Sequence, residues 1–544
     1  MKSNIDVSEA STARRRRLRW TVGSAALTVL LMLAACAPVE EDAGPAGAED
    51  DEGTDEAAPA DPADAELDEN ATLRAATYVG PRSMDPHMAS NATFMPELFP
   101  AFDRLIHRDR NGDFVPGLAE DWEWNDEVDV LTLYLREDVT FHDGEPFDAE
   151  AVAANFDRQM THEDSTHNTQ LADVETVEVI DELTVEYHLE EPNAGLVGRL
   201  SDAVGMMLSP AAFGEDLESY AGGTGMYQLE SFSHDNEIIY SAYEDYWDQD
   251  AQLLAGLEIS ILSDARAMVN GLIGGNFDVA WVRDGSLLNE AENEGFRVND
   301  QQTLEFQTIY ANLEMEPFTD ENFRHALNHA INRDGLVEAI TRGWAHPMHQ
   351  PFPDGYWANN PELEGNFEYD PDLAEEYLAE AEVEPEFTVL DIAGATPVGL
   401  TEALQSQLAE VGIEMDILVS EAGGQADIPY SQEAEVPAMA VEWVGRADPS
   451  MTVEQHLMPG NYFNPGDWED DELAAAYRAS IEAPDIEGRT QATHDLVEMI
   501  AERSLMFPLY SNVHQPVMTD RVVGLEDNWT AGIEFRGVGL TVED

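Results

Sequence analysis

The chain has 544 residues, with 111 acidic against 26 basic side chains and a formal net charge of −85. A field of that sign repels nucleic acid and anionic lipid headgroups, which excludes most polyanion-binding functions and reads instead as a surface suited to high salt or alkaline surroundings. A single cysteine, Cys36, excludes a disulfide framework, and the 43% of hydrophobic residues is ordinary for a globular chain.

The N-terminus carries Arg14, Arg15, Arg16, Arg17 and Arg19, then the apolar run LTVLLMLAAC ending at Cys36. A basic stretch, a short apolar stretch and small residues at its exit have the anatomy of an export signal. From Trp20 to Ala35 the run falls short of the roughly 20 residues of a spanning helix, so the segment reads as a signal rather than an anchor. The following stretch, 37–70, has no aromatic and no basic residue, and Ala, Pro, Gly, Asp and Glu dominate it, which predicts a disordered linker. The first 35 residues hold six basic and two acidic groups, so their removal takes the net charge to −89. The only lysine, Lys2, goes with them.

Beyond about Thr72 the patterning alternates between strand and helix. Leu131–Arg136 alternates apolar and polar side chains as a half-buried strand does, and Val174–Ile180 with Thr184–Leu189 predicts a hairpin turning at Asp181 and Glu182. Asp148 is placed to cap a helix beginning AEAVAANF. Tyr227–Phe232 and Ile238–Tyr243 read as strands after the turn Gly222–Gly225. Helices are expected at Phe323–Ile331, Pro371–Glu382 and Thr401–Glu410, the last leading through Gly412 into a strand at Ile413–Val419. Such alternation predicts α/β lobes.

Motifs for catalysis or metal binding are weak. His325 and His329 are four apart on one helix face, but the glutamate of the zinc-protease pattern and a third ligand are missing. His346 with His349, and His162 with His167, read as loop histidines, and Asp109, Asn111 and Asp113 around Gly112 stop short of a calcium loop. No nucleophile elbow or phosphate loop occurs. No catalytic residue, metal or cofactor is therefore assigned.

The block from Pro116 to Arg158, PGLAEDWEWNDEVDVLTLYLREDVTFHDGEPFDAEAVAANFDR, resembles the signature of the peptide and nickel class of extracellular solute-binding proteins of ABC importers. The ordered set MDPH (Met84–His87), GGTGMYQL (Gly222–Leu229), NFRHALNHAINRD (Asn322–Asp334), YDPDLAEEYLAEA (Tyr369–Ala381), EALQSQLAEVGIEMDI (Glu402–Ile417) and MFPLY (Met506–Tyr510) carries the same resemblance along nearly all of the chain after the linker. The tetrapeptide ending at Cys36 similarly resembles a bacterial lipobox, which implies lipidation of that thiol.

The resemblance implies an α/β, two-lobed, periplasmic-binding-protein-like fold with an extra subdomain, the lobes joined by a hinge with the ligand cleft between them. Signal peptide, linker and lobes would be 1–35, 36–70, 71–305 with 507–544 (the extra subdomain at about 102–210), and 311–506. It implies a monomeric, lipid-anchored substrate-binding subunit that closes on a peptide-like or acid-bearing solute and delivers it to an ABC permease and its ATPase, outside the cytoplasm. A sensor of the same fold, or a cleft hydrolase, remains open as an alternative. Cleft contacts implied by matching loops are Trp443, Asn91, Thr93, Trp281, Asn461 and Phe463. Arg446 stands where relatives that bind free peptides carry an aspartate, three residues after the cleft tryptophan. The inverted charge would suit a carboxylate or phosphate, unless Arg446 pairs internally with Asp448 or another of the many acids nearby.

Overall fold

A computed structural model describes residues 66–88, 97–215, 217, 222–300, 302–393, 396–420, 436–525, 529 and 534–542. The proposed signal, Cys36, the linker as far as residue 65, Asn91 and Thr93 lie outside the described residues, whereas the linker's expected last residues join the fold, Leu67 bridging Thr541 and the Asp68 amide donating to the Leu540 carbonyl at 2.8 Å.

The first lobe is organised by a seven-stranded sheet in the order Arg297–Val298, Gln515–Met518, Val279–Val282, Thr72–Thr77, Gly256–Ile261, Glu237–Ala242, Tyr227–Ser233. Thr72–Thr77 runs parallel to both Gly256–Ile261 and Val279–Val282, and Leu73, Ala75 and Ala76 along it are fully buried. The expected glycine turn packs tightly against the chain: a Cβ on Gly223 would stand 1.9 Å from the carbonyl oxygen of Ala101. Only glycine permits that approach.

An antiparallel four-stranded sheet, Ala119–Trp124, Val130–Leu135, Thr184–Leu189 and Val174–Asp181, forms the extra subdomain with the helix Ala149–Thr161. Burial alternates along Val130–Leu135 as the pattern required, with Leu131, Leu133 and Leu135 inward. Asp148 caps the helix by accepting from the Ala151 amide at 2.9 Å. The hairpin turns where expected, Asp181 accepting from the Leu183 amide.

The second lobe is built on a five-stranded sheet ordered Glu414–Ser420, Glu386–Ile392, Ala438–Val444, Glu305–Ala311, Phe507–Ser511. Helices at Glu321–Ala330, Pro371–Glu380 and Leu400–Glu410 match the expected ones within two residues. The chain passes from the first sheet to the second between Val298 and Glu305, and returns between Ser511 and Gln515. Glu305–Ala311 and Phe507–Ser511 thus pair with each other inside the second sheet. Their ladder, not their sequence, assigns them. Among the described residues no helix is long and apolar enough to cross a membrane.

Candidate functional site

Strand alternation sets two different environments on the two faces of Ala438–Val444. Glu442 is paired with Gln307 across the ladder, and Gln307 with Tyr510, so three polar side chains form a row over three adjacent strands. Trp443 is paired with Phe306 on the opposite face, where Tyr310 also lies.

The polar row floors a cavity of about 510 Å3. Its walls come from both lobes: Arg283, Asp284, Gly285 and Ser286 follow the first-lobe strand Val279–Val282, whereas Thr341, Arg342 and Thr396–Val398 belong to the second. The lobes meet closely here. A Cβ on Gly285 would stand 1.9 Å from the Thr341 carbonyl oxygen, and Trp344 donates through Nε1 to Asn289 across the same contact at 3.1 Å. The volume falls in the range of small-molecule pockets.

Charges beside the cavity are organised around Arg283. Its Nη2 lies 2.8 Å from Glu442 and 3.5 Å from Glu305, and its guanidinium sits over the Tyr78 ring, 4.7 Å from the centroid. Arg283 and Tyr78 belong to the first lobe and both glutamates to the second, so this ion pair joins the lobes. Glu305 is buried, and desolvation together with Glu442 pushes its carboxyl up to about 7 against the pull of Arg283. Desolvation also raises the Tyr510 phenol well above its ordinary range, so it is a neutral hydroxyl at physiological pH.

The opposite face is aromatic and closed. Trp443 is 1% exposed and packs edge-on against His456 and Phe463, with ring centroids 4.5 and 5.6 Å away. Burial lowers His456 to about 4, leaving a neutral imidazole among the rings. Arg446 covers this cluster with its guanidinium 4.8 Å from the Trp443 centroid. Nη1 donates to the Gly445 carbonyl at 2.7 Å, and Nη2 lies 3.5 Å from Gln455 Oε1. Asp448 does not pair with it. That carboxylate, fully buried, receives two 2.9 Å hydrogen bonds from Arg489. Arg446 accordingly has no carboxylate within salt-bridge distance among the described residues, although Asp202 and Glu305 lie near enough to favour its charge.

The other expected contacts separate. Phe463 stacks on His456 beside Tyr310, and Asn461 borders a second cavity of about 320 Å3 between the extra subdomain and the second lobe, lined also by Asp173, Arg199 and Glu454. Trp281 is 3% exposed and packs against Phe535 in the first-lobe core. His325 and His329 stack on Tyr377 and bond to the Glu502 and Glu368 carbonyls, a helix-packing role. Asp109 accepts from the amides of Asn111 and Asp113, closing a plain turn.

Sequence reasoning did not single out Arg283, Glu305, Gln307, Arg342, Glu442 or Tyr510 as site residues. The scarcity of cations was the one signal available for the arginines.

Two lobes, two connecting segments and a cavity walled by both define a cleft-type binding protein. The family model for bacterial extracellular solute-binding proteins, family 5 (middle part), matches residues 113–464, and the chain belongs to that family. It is 26% identical over 446 residues to the glutathione-binding protein GsiB of Salmonella paratyphi A, covering 78% of this chain and 86% of that one. With the dipeptide-binding protein of Escherichia coli K12 it shares 25% over 418 residues, 69% of this chain and 77% of the other. The solved structure of the ABC transporter-associated periplasmic binding protein DppA from Helicobacter pylori, in complex with peptide STSA, superposes with a TM-score of 0.71 at 21% identity, covering 87% of this chain and 98% of that one. This last likeness is one of fold.

Proposed function

We propose that the protein is the lipid-anchored substrate-binding subunit of an ABC importer, taking a peptide-like, acid-bearing solute between its lobes and handing it to the permease. The observation that carries this reading is the cavity walled by Arg283–Ser286 from one lobe and by Gln307, Arg342, Glu442 and Tyr510 from the other. A solute held by both walls lowers the free energy of the closed arrangement alone, which gives the permease a loaded shape to recognise. Relatives named for glutathione and dipeptides support the peptide-like class. Arg446 supports the acid: in a chain so short of cations, it is a half-buried guanidinium with no carboxylate within salt-bridge distance among the described residues. Asn461, Phe463, Asn91 and Thr93 are proposed as further solute contacts, as the matching loops imply, with Trp443 as the platform beneath Arg446.

Cys36 provides the anchor, since two acyl chains at about 0.8 kcal/mol per buried CH2 hold a protein stably at a membrane where one does not. Native mass spectrometry of protein purified without denaturation is expected to find a retained small molecule bearing a carboxylate. Cys36→Ala is expected to move the folded protein from the membrane to the soluble fraction. A retained solute without an acid group would refute the substrate class, and a variant still membrane-bound after a high-salt wash would refute the anchor.

A further inference from the structure

The polar groups around the 510 Å3 cavity divide into those already spent and those not. Arg283 is neutralised by Glu442 and Glu305. Asp284 is committed to the helix Gly285–Asn293, accepting from the Ser286 amide and hydroxyl and from the Leu287 amide. Thr341 donates to the Val337 carbonyl and Thr396 to the Ala440 carbonyl.

Four groups are left. Arg342 is exposed and has no carboxylate within 4.0 Å among the described residues, in a chain with 111 acidic side chains. The Tyr510 hydroxyl, Gln307 Oε1 and Asn512 Nδ2 have no hydrogen-bond partner among the described residues, although these residues are 1%, 2% and 4% exposed. Gln307 donates its Nε2 to Asn512 Oδ1, which leaves the other polar atom of each amide free. A buried polar atom without a partner is costly, and a pocket that leaves three of them beside an unpaired guanidinium is complementary to a ligand that satisfies all four.

We infer that this cavity receives a carboxylate with a neighbouring N–H group, the carboxylate taken by Arg342, the Tyr510 hydroxyl and Asn512 Nδ2, and the N–H by Gln307 Oε1. The inference rests on the reading of the cleft as the solute site and says which end of the solute the cavity takes: the free α-carboxylate of a peptide-like acid.

Calorimetric titration of the full chain with alanyl-glutamate, its α-carboxamide and alanyl-glutamine tests this directly. In the unaltered protein, α-amidation should weaken binding by about tenfold or more, the effect of losing a hydrogen-bonded charged partner. In Arg342→Gln that penalty should fall to about twofold or less, while any penalty for replacing the side-chain acid by its amide is unchanged. Tyr510→Phe keeps the buried ring, removes only the hydroxyl, and should shrink the α-amidation penalty severalfold with a melting temperature no lower than that of the unaltered protein, so the test survives if Arg342→Gln does not fold. An α-amidation penalty undiminished in both variants, or absent from the unaltered protein, overturns the inference and leaves the peptide-like reading standing. Failure of all three probes to bind overturns both.

Discussion

The two faces of the strand Ala438–Val444 bear one residue each side of a single peptide bond, yet they are opposite kinds of surface. On the Glu442 face, ionic and neutral polar groups from two lobes surround open volume, and some of them lack partners. On the Trp443 face, aromatic rings fill the space and one arginine lies over them. The comparison separates two uses of polarity: unspent hydrogen-bonding groups around a cavity mark where a ligand is accommodated, whereas a saturated buried pair such as Asp448–Arg489 holds the adjoining loop in place. Asp448 caps the helix Pro449–Leu457, accepts from Ser450, and receives both guanidinium bonds of Arg489.

If that pair is scaffolding, breaking it should affect folding more than any change at the cavity. Arg489→Ala leaves the Asp448 carboxylate buried and unpaired, and denaturant unfolding should report a loss of about 3 to 5 kcal/mol. A loss below about 1 kcal/mol would mean that water reaches Asp448 and that the two faces are less different than their packing implies.

Arg446 sharpens the comparison from the aromatic side. Because Asp448 is held by Arg489, Arg446→Ala should fold normally. It should also weaken an acid-bearing solute by about 2 to 5 kcal/mol, the cost of removing one partner of a desolvated charged pair. Unchanged affinity by calorimetry would confine solute recognition to the cavity face.

The smallest expected effect concerns pH at the interlobe ion pair. Glu305 has a folded pKa of about 7, above its ordinary value, because burial and Glu442 outweigh Arg283, Arg446 and Asn512. The folded state therefore binds this proton more tightly than the unfolded chain, so the contribution of Glu305 is fully present below its ordinary carboxyl range and is lost as pH rises through about 7. Glu305→Gln, which cannot ionise, should remove on the order of 2 kcal/mol of that decline between about pH 5 and 8, read from denaturation midpoints at each pH. A slope identical in the variant would show that Glu305 stays charged throughout, stabilised by Arg283.

Much of the local structure was legible because it rests on neighbours in sequence. Asp148 could be read as a cap, Val130–Leu135 as a half-buried strand and Asp181 as a turn, since each depends on residues a few positions away. The site was less legible. Arg446 was found by its place in a loop, and its lack of a carboxylate could not be inferred beside Asp448, because the partner that takes Asp448, Arg489, is 41 residues away. The row Glu442–Gln307–Tyr510 joins residues from three distant strands, and no periodicity within one strand announces it.

Sequence by itself determined the acidic composition, the alternation of helix and strand, and the family resemblance, all of which are carried by composition or by contiguous motifs. Tertiary structure decided where the lobes divide, because Phe507–Ser511 takes its place from hydrogen bonds to Glu305–Ala311 rather than from its own apolar pattern. It also decided which cations are spent. Every arginine is the same donor in sequence, and only the three-dimensional supply of carboxylates within reach distinguishes the neutralised Arg283 and Arg489 from Arg342 and Arg446.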